Sequence, residues 1–343
     1  MDAEGKEISR IFGSIPVFLV GGAVRDKLLG REPADYDFVT SLLPDDIEKC
    51  IRDAGRKPYL IGKRFGTVGV RIDGKVVEIS TFKTTSYRNG KHRPDITLGV
   101  NLEDDLKHRD FTINSMAMQG DEIIDPCGGQ ADLQANVICC WENATIRFKE
   151  DPLRIIRAAR FQSELLFDID CYVIKAATEL SYKLLNVSRE RWVAELDKLL
   201  VSPAPTLGLD TLMKVRAMNY ILPDIALQLY YDQDSPYHSL SLWEHTKQVI
   251  LATPPVIELR WAALLHDVGK PFTRKLNKRG YSNYIYHDLV GAEKVGQLGQ
   301  YLKWSKDRIE LVTDLVRGHL DVSSPLYAAD QAGKQGLVMP NNG

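Results

Sequence analysis

Val17-Phe18-Leu19-Val20-Gly21-Gly22-Ala23-Val24-Arg25-Asp26, followed by Asp35-Tyr36-Asp37, is the stretch that decides the fold. Val17–Val20 is a short apolar run of strand type ending on adjacent glycines, and Ala23–Leu29 reads as a short helix closed by Gly30. Gly21 and Gly22, set between strand and helix, let backbone N–H groups approach a phosphate closely, with the positive helix N-terminus behind them. Arg25 is placed to meet the same phosphates. Asp35 and Asp37 differ by two, so on a strand both carboxylates leave one face. Like charges so close call for a cation, and hard oxygen ligands suit Mg²⁺, which also takes triphosphate oxygens. A third acid, Glu78, sits in the apolar run Val76-Val77-Glu78-Ile79-Ser80, where an unpaired buried charge is costly. Taken singly, these features are a tight turn and a solvated loop. Together, three carboxylates sharing two ions beside a glycine corner point to nucleotidyl transfer, with a ribose 3′-hydroxyl activated and a departing pyrophosphate held.

Outward from this stretch, Asp37–Thr40, Val68–Ile72 and Val76–Phe82 are expected strands, the last two joined by an Asp73-Gly74 hairpin turn. Pro44–Ala54 is an expected helix closed by Gly55. Beyond residue 150 strand signals almost vanish. Asp151-Pro152 opens a helix as N-cap and first-turn proline, and apolar-periodic segments follow to Leu222. Leu229–Tyr237 reads as a linker, a second helical unit runs from about Leu240 to Leu326, and the tail from Ala328 is expected to be loose. The fold class is therefore α+β: a mixed sheet with helices over 1–140, a helical neck and body over 141–228, a second helical domain over 236–327, and a flexible tail over 328–343.

Composition sets outer bounds. The 343 residues are 44% hydrophobic and 26% charged, enough for two or three cores, and no apolar stretch reaches membrane-span length. The polar start MDAEGKEISR lacks the apolar core of a secretory signal. Five cysteines, an odd number with no CxxC pair, speak against a disulfide framework or a cysteine zinc site and predict a reducing, cytoplasmic setting. Forty-four basic against forty-six acidic residues give a net charge of −2, so no global positive field advertises nucleic acid. Two local basic runs, Arg147–Arg160 and Gly269–Gly280, are phosphate-binding candidates or simply solvated surface.

With these residues in view, the chain resembles the class II tRNA nucleotidyltransferases (CCA-adding enzymes) and their bacterial poly(A) polymerase relatives. Val20–Asp26 through Asp37 is similar to the family's first motif. Arg109-Asp110-Phe111-Thr112-Ile113-Asn114 resembles RRDFTIN, with His108 in place of the first arginine. Asp125-Pro126-Cys127-Gly128-Gly129 resembles DPxGG, Glu150–Arg157 resembles EDxxRxxR, and Glu190-Arg191 through Glu195 resembles ERxxxE. The resemblance implies a polymerase-beta-like head, and addition of C, C and A to the 3′ end of tRNA from CTP and ATP without a nucleic-acid template. It leaves open addition of A alone, of CC alone, or of poly(A). Asp110 and Asn114 would hold the incoming ribose. Asp151 and Arg154, three apart near a helix start, supply an acceptor beside a donor. That order complements the amino group and ring nitrogen shared by cytosine and adenine, and uracil and guanine reverse it. Glu150 would orient Arg154, and Arg157 would meet phosphate or the outer edge of the pair. The basic segment 87–95 resembles the loop needed for switching from C to A addition, and Arg147, Lys149 and Arg157 would contact the tRNA phosphates.

Leu264-Leu265-His266-Asp267-Val268-Gly269-Lys270 is similar to the HD signature of metal-dependent phosphohydrolases. With His245, His287 and His319 on surrounding helical stretches, the pair can bind one or two transition-metal ions, such as Ni²⁺ or Mn²⁺, and activate water. Asp288, Asp314 and Asp321 compete for the closing aspartate. No membrane association and no obligate protein partner are expected.

Overall fold

The computed structural model describes residues 3–86, 95–234 and 240–335. They form two compact units, Met1–Asp151 with Asp168–Val173, and Pro152–Phe167 with Ile174–Gly343.

The first unit is built on strands β1 (Val17–Val20), β2 (Asp37–Thr40), β3 (Pro58–Tyr59), β4 (Thr67–Ile72), β5 (Lys75–Thr81), β6 (Lys83–Ser86), β7 (Asp95–Leu98), β8 (Ala117–Gln119), β9 (Glu122–Ile124), β10 (Val137–Ile138) and β11 (Asp168–Ile169). Around them lie helices α1 (Ala3–Phe12), α2 (Gly22–Leu28), α3 (Pro44–Asp53), α4 (Leu102–Lys107), α5 (Gly129–Gln134) and α6 (Ala144–Glu150). Seven strands make one mixed sheet in the order β3-β4-β5-β2-β1-β8-β9, in which only β2 and β5 run parallel. The expected hairpin between β4 and β5 is present, with Asp73 and Gly74 both at positive φ, as a two-residue turn of this twist requires. One sheet face is buried beneath Ile47 and Ile51 of α3, and Val77, Ile79 and Thr81 of β5 point into it.

That alternation corrects one expectation. Glu78 is not enclosed in an apolar strand: the burial of β5 follows period two, so Glu78 and Val76 lie on the open face. Glu78 therefore needs no cation to offset burial.

The second unit contains α7 (Arg154–Leu165), most of α8 (Cys171–Leu180), α9 (Arg189–Leu200), α10 (Pro205–Lys214), α11 (Met218–Ile221), α12 (Pro223–Ala226), α13 (Leu242–Ala252), α14 (Ile257–Leu265), α15 (Lys270–Thr273), α16 (His287–Tyr301), α17 (Lys306–Arg317) and α18 (Tyr327–Gln335). A short hairpin of β12 (Lys275–Leu276) and β13 (Ser282–Asn283) is its only sheet among the described residues. Asp151 takes the extended backbone that a residue before proline prefers, and regular helix begins at Arg154 after a turn closed by Ile155 N–H donating to Pro152 O. The close crossing of α7 and α10 depends on Gly208, where a Cβ would collide with Ala159 O and Ser163 Oγ.

A second correction concerns the tail. Residues 327–335 are helical, with Ala329 and Asp330 buried, and α18 packs on α13. Gly333 permits the approach, since a Cβ there would sit 3.0 Å from His245 Nδ1. The expected switching loop, over 87–94, and part of the expected linker, 235–239, lie outside the described residues. Among the described residues no helix is long and apolar enough to cross a membrane.

Candidate active site

Gly21 ends β1 at φ 69°, a left-handed conformation that suits glycine, and α2 starts at Gly22. The guanidinium of Arg109 lies directly over this corner: a Cβ on Gly21 would be 3.0 Å from its Nη1. Arg109 is held by Asp105, whose Oδ1 accepts from its Nη2 at 3.0 Å and its Nε at 3.2 Å. Asp105 is itself buried, and its Oδ2 accepts from Lys83 N–H at 2.9 Å. Sequence reasoning missed Asp105 and Lys83. The four-residue spacing of Asp105 and Arg109 on and just past α4 was the available signal.

Arg25 lies in the first turns of α2, beside Gly22. It is 4% exposed, with Nε and Nη2 on Asp26 and Nη1 donating to Asn114 Oδ1 at 2.9 Å. Asn114 Nδ2 in turn donates to Asp110 Oδ1 at 3.0 Å, which also accepts from Phe111 N–H. Arg25 thus braces the Asp110–Asn114 pair against the start of α2, with its guanidinium beside the glycine corner, where a Cβ on Gly22 would lie 3.5 Å from Nη2.

The carboxylates come together through strand register. Asp37 on β2 is the direct parallel partner of Glu78 on β5, so both side chains leave the same face, and Glu78 N–H bonds Tyr36 O at 3.2 Å. Asp35 precedes β2 by two residues, and all three acids are exposed. Partial desolvation pushes the Asp37 carboxyl above its ordinary value; Arg109 opposes this, while the like charges of Glu78 and Asp35 add to it. An all-oxygen, solvent-open donor set under mutual repulsion fits a hard divalent cation. The trio is looser than the clusters in the helical unit: it is not among the groups whose ligand atoms all lie within 4.8 Å of one another.

In the second unit, Arg154 is buried in the first turn of α7. Arg157 Nη1 and Arg160 Nε share Glu195 of α9, at 3.0 and 2.6 Å, so Arg157 is anchored on one side. Glu195, noted in the sequence only as part of a motif, is thus what fixes the basic face of α7. In the first unit, Arg147 pairs with Glu150 at 3.1 Å.

The second unit also holds a separate constellation. His266 ends α14 beside Asp267, His245 comes from α13, His287 opens α16, and His319 follows α17. The closing aspartate is none of the three considered. Asp314 pairs with Arg317, Asp321 caps its own turn through Ser323, and Asp288, half-buried at the cavity wall, joins neither ligand group, whereas Asp330 of α18 reaches His245 Nε2 at 3.0 Å. His266, His287 and His319 each engage a backbone carbonyl through Nδ1, at 2.8, 2.7 and 2.6 Å. An Nδ1–H tautomer directs their Nε2 lone pairs inward, where Nε2 of His266 lies 3.1 Å from that of His245, and Nε2 of His287 lies 3.3 Å from that of His319. Two lone pairs facing at such distances repel unless a cation or proton lies between them. Asp267 divides its oxygens between the pairs: Oδ2 is 3.3 and 3.1 Å from His245 and His266, and Oδ1 is 3.3 Å from His287. Burial opposes ionisation of Asp267, but His266 and Lys270, whose Nζ is 2.6 Å away, hold its carboxyl well below the usual range. Burial and the charge of His266 push His319 down to about 4, keeping that ring neutral and able to ligate. A cavity of about 440 Å³, lined by Lys270, Tyr284, Tyr286, His287 and Lys334, opens onto this ring.

A glycine corner with carboxylates aligned on paired strands of a mixed sheet, ahead of helical bodies, defines a nucleotidyltransferase head. Sequence comparison agrees: profiles described as "Poly A polymerase head domain", "Probable RNA and SrmB- binding site of polymerase A" and "HD domain" match residues 17–139, 167–229 and 237–339. The CCA-adding enzyme of Lactococcus lactis subsp. cremoris is 38% identical over 289 residues, covering 80% of this chain and 67% of that one. That of Geobacillus stearothermophilus is 37% identical over 263 residues, covering 75% and 61%, so the chain spans about three fifths of that relative. The crystal structure of the Bacillus stearothermophilus CCA-adding enzyme in complex with CTP superposes with a TM-score of 0.66 at 29% identity, covering 98% of this chain and 82% of that one. The chain belongs to the CCA-adding enzyme family. Membership implies use of a divalent metal in the head.

Proposed function

We propose that this protein extends the 3′ end of tRNA by C, C and A, taking CTP and ATP and releasing pyrophosphate. The observation that carries the reading is the register that sets Asp37 opposite Glu78, with Asp35 two residues before the strand, beside the corner at Gly21 and Gly22. Asp35, Asp37 and Glu78 would hold Mg²⁺, which when bound acidifies the primer hydroxyl and neutralises charge on the phosphates. Gly21 and Gly22 leave backbone room for the triphosphate, and Arg109 over that corner offers it a guanidinium. Asp110 and Asn114, held by Arg25, present a fixed polar pair to the incoming ribose. Asp151 and Arg154 choose the base, Glu150 and Arg157 support that choice, and Arg147, Lys149 and Arg157 meet tRNA phosphates. Work on tRNA in the cytoplasm agrees with five cysteines, none of them in a disulfide.

Base selection by side chains predicts a distinct phenotype. Wild-type protein should incorporate CTP and ATP and refuse UTP and GTP. Arg154→Met removes a charged donor worth about 1.5–3 kcal/mol, so preference for CTP over UTP should fall on the order of 10- to 100-fold before addition is lost. Single-turnover incorporation of each nucleotide measures this, and an unchanged preference contradicts the side-chain template.

The ring of His245, His266, Asp267, His287, His319 and Asp330 favours a second activity, metal-dependent hydrolysis of a phosphate ester. A transition metal such as Ni²⁺ or Mn²⁺ suits its mixed imidazole and carboxylate donors and, when bound, lowers the pKa of water. Lys270 and Lys334, each 2.6 Å from a ring aspartate, bring positive charge to the cavity for an anionic substrate.

A further inference from the structure

Lys83 opens β6, five residues past Glu78, and has no part in the motifs read from the sequence. Its ammonium is enclosed by oxygen acceptors: Phe65 O and Thr67 Oγ1 at 3.2 Å and, more weakly, Ser80 Oγ at 3.5 Å. Thr67 and Ser80 are direct partners on β4 and β5, joined by their own hydroxyl bond of 2.7 Å. Ser80 follows Glu78 by two, so the ammonium is tethered on the carboxylate face one step, roughly 7 Å, along the strand from Glu78. With its three N–H bonds taken up by these acceptors, this cation is positioned to act through its field more than by grasping a phosphate.

Its backbone reinforces the arrangement, because Lys83 N–H fixes Asp105, which holds Arg109 over Gly21. Burial lowers the Lys83 ammonium from its ordinary value, as does Arg109, while Asp105, Glu78 and Asp37 counter them.

We propose that Lys83 is a positioning residue for nucleotidyl transfer: a tethered cation that offsets the charge of Asp35, Asp37 and Glu78, so that the carboxylates bind a free divalent ion weakly and take it together with the nucleotide triphosphate. The proposal rests on the reading of the trio as the metal site of the head. It carries a sign that a purely structural role would not. Removing a unit positive charge from the carboxylate face would strengthen the binding of a divalent ion held there.

The test is Mn²⁺ binding to the full chain without nucleotide, followed by the electron paramagnetic resonance of free Mn²⁺, with head-site binding defined as the part lost on Asp35→Ala. Lys83→Met and Lys83→Gln should each tighten that binding on the order of 5-fold, and Lys83→Arg should match wild type. Saturating CTP should shrink the difference below about 2-fold, because the triphosphate then dominates the local charge. Thermal midpoints establish that the variants fold, and the two neutral side chains guard against one that does not. Unchanged or weaker binding in the neutral variants would make Lys83 a strut and overturn the proposal alone. If Asp35→Ala removes no Mn²⁺ binding from wild type, the reading of the trio falls, and this proposal with it.

Discussion

Asp35→Ala should abolish nucleotide addition, with a loss on the order of 1,000-fold or more, while tRNA affinity changes by less than about 2-fold. A metal-held charge contributes several kcal/mol to a developing transition state, and each 1.36 kcal/mol is tenfold in rate. Asp35 is exposed, so its truncation opens no cavity and leaves no buried group unpaired. Secondary structure and thermal midpoint should therefore match wild type, separating loss of chemistry from loss of fold. Asp37→Ala should behave similarly in rate. It also removes a like charge from Glu78, its strand partner, so a small gain in stability is expected there. Filter binding of tRNA alongside single-turnover addition makes the measurement. Retained turnover in Asp35→Ala would refute the metal role of the trio.

The second large effect belongs to the helical unit. Asp267→Asn should cut transition-metal affinity there by more than about 100-fold and leave nucleotide addition within about 3-fold of wild type. Asp267 is the one residue shared by both ligand groups, His245-His266-Asp267-Asp330 and Asp267-His287-His319. Its loss also strands Lys270, which is 3% exposed and has Asp267 and Gln233 as its partners, and unpairing a buried charge costs about 3–5 kcal/mol. The unit should thus melt earlier as well as bind less. Metal content after dialysis against Ni²⁺ or Mn²⁺, and calorimetric melting, read the two effects separately. Wild-type metal content in Asp267→Asn would remove the ring as a metal centre.

Much of the head was legible because its signals are local. A strand meeting Gly21-Gly22, acids two apart, and an Asp-Gly hairpin each state their geometry within a few residues. Glu78 was identified as the third acid but misjudged in burial, since Val76-Val77-Glu78-Ile79 reads equally as a continuous apolar run or as alternation. Only the neighbours of β5 decide between them. The bond from Arg25 to Asn114 was not legible for another reason: the two are 89 positions apart, and no local pattern announces it. Asp330 was missed because the breakers Gly336, Pro340 and Asn341-Asn342 make the stretch after Ala328 read as a loose tail. Its helix is held by the small residues Ala329 and Gly333 against α13, and tertiary contact overrides a weak local signal. Lys83 and Asp105 fall in the same class, since their meaning lies in what they touch.

Nucleotide addition without a template, by a carboxylate site beside a glycine corner, is read from the length of the product. The protein is incubated with tRNA ending at its discriminator base and with CTP alone, ATP alone or both, and the 3′ ends are resolved at single-nucleotide resolution. Extension by CC with CTP, nothing with ATP, and CCA followed by arrest with both are the expected products. Long adenylate tails from ATP alone, or no extension in any lane, would contradict this reading.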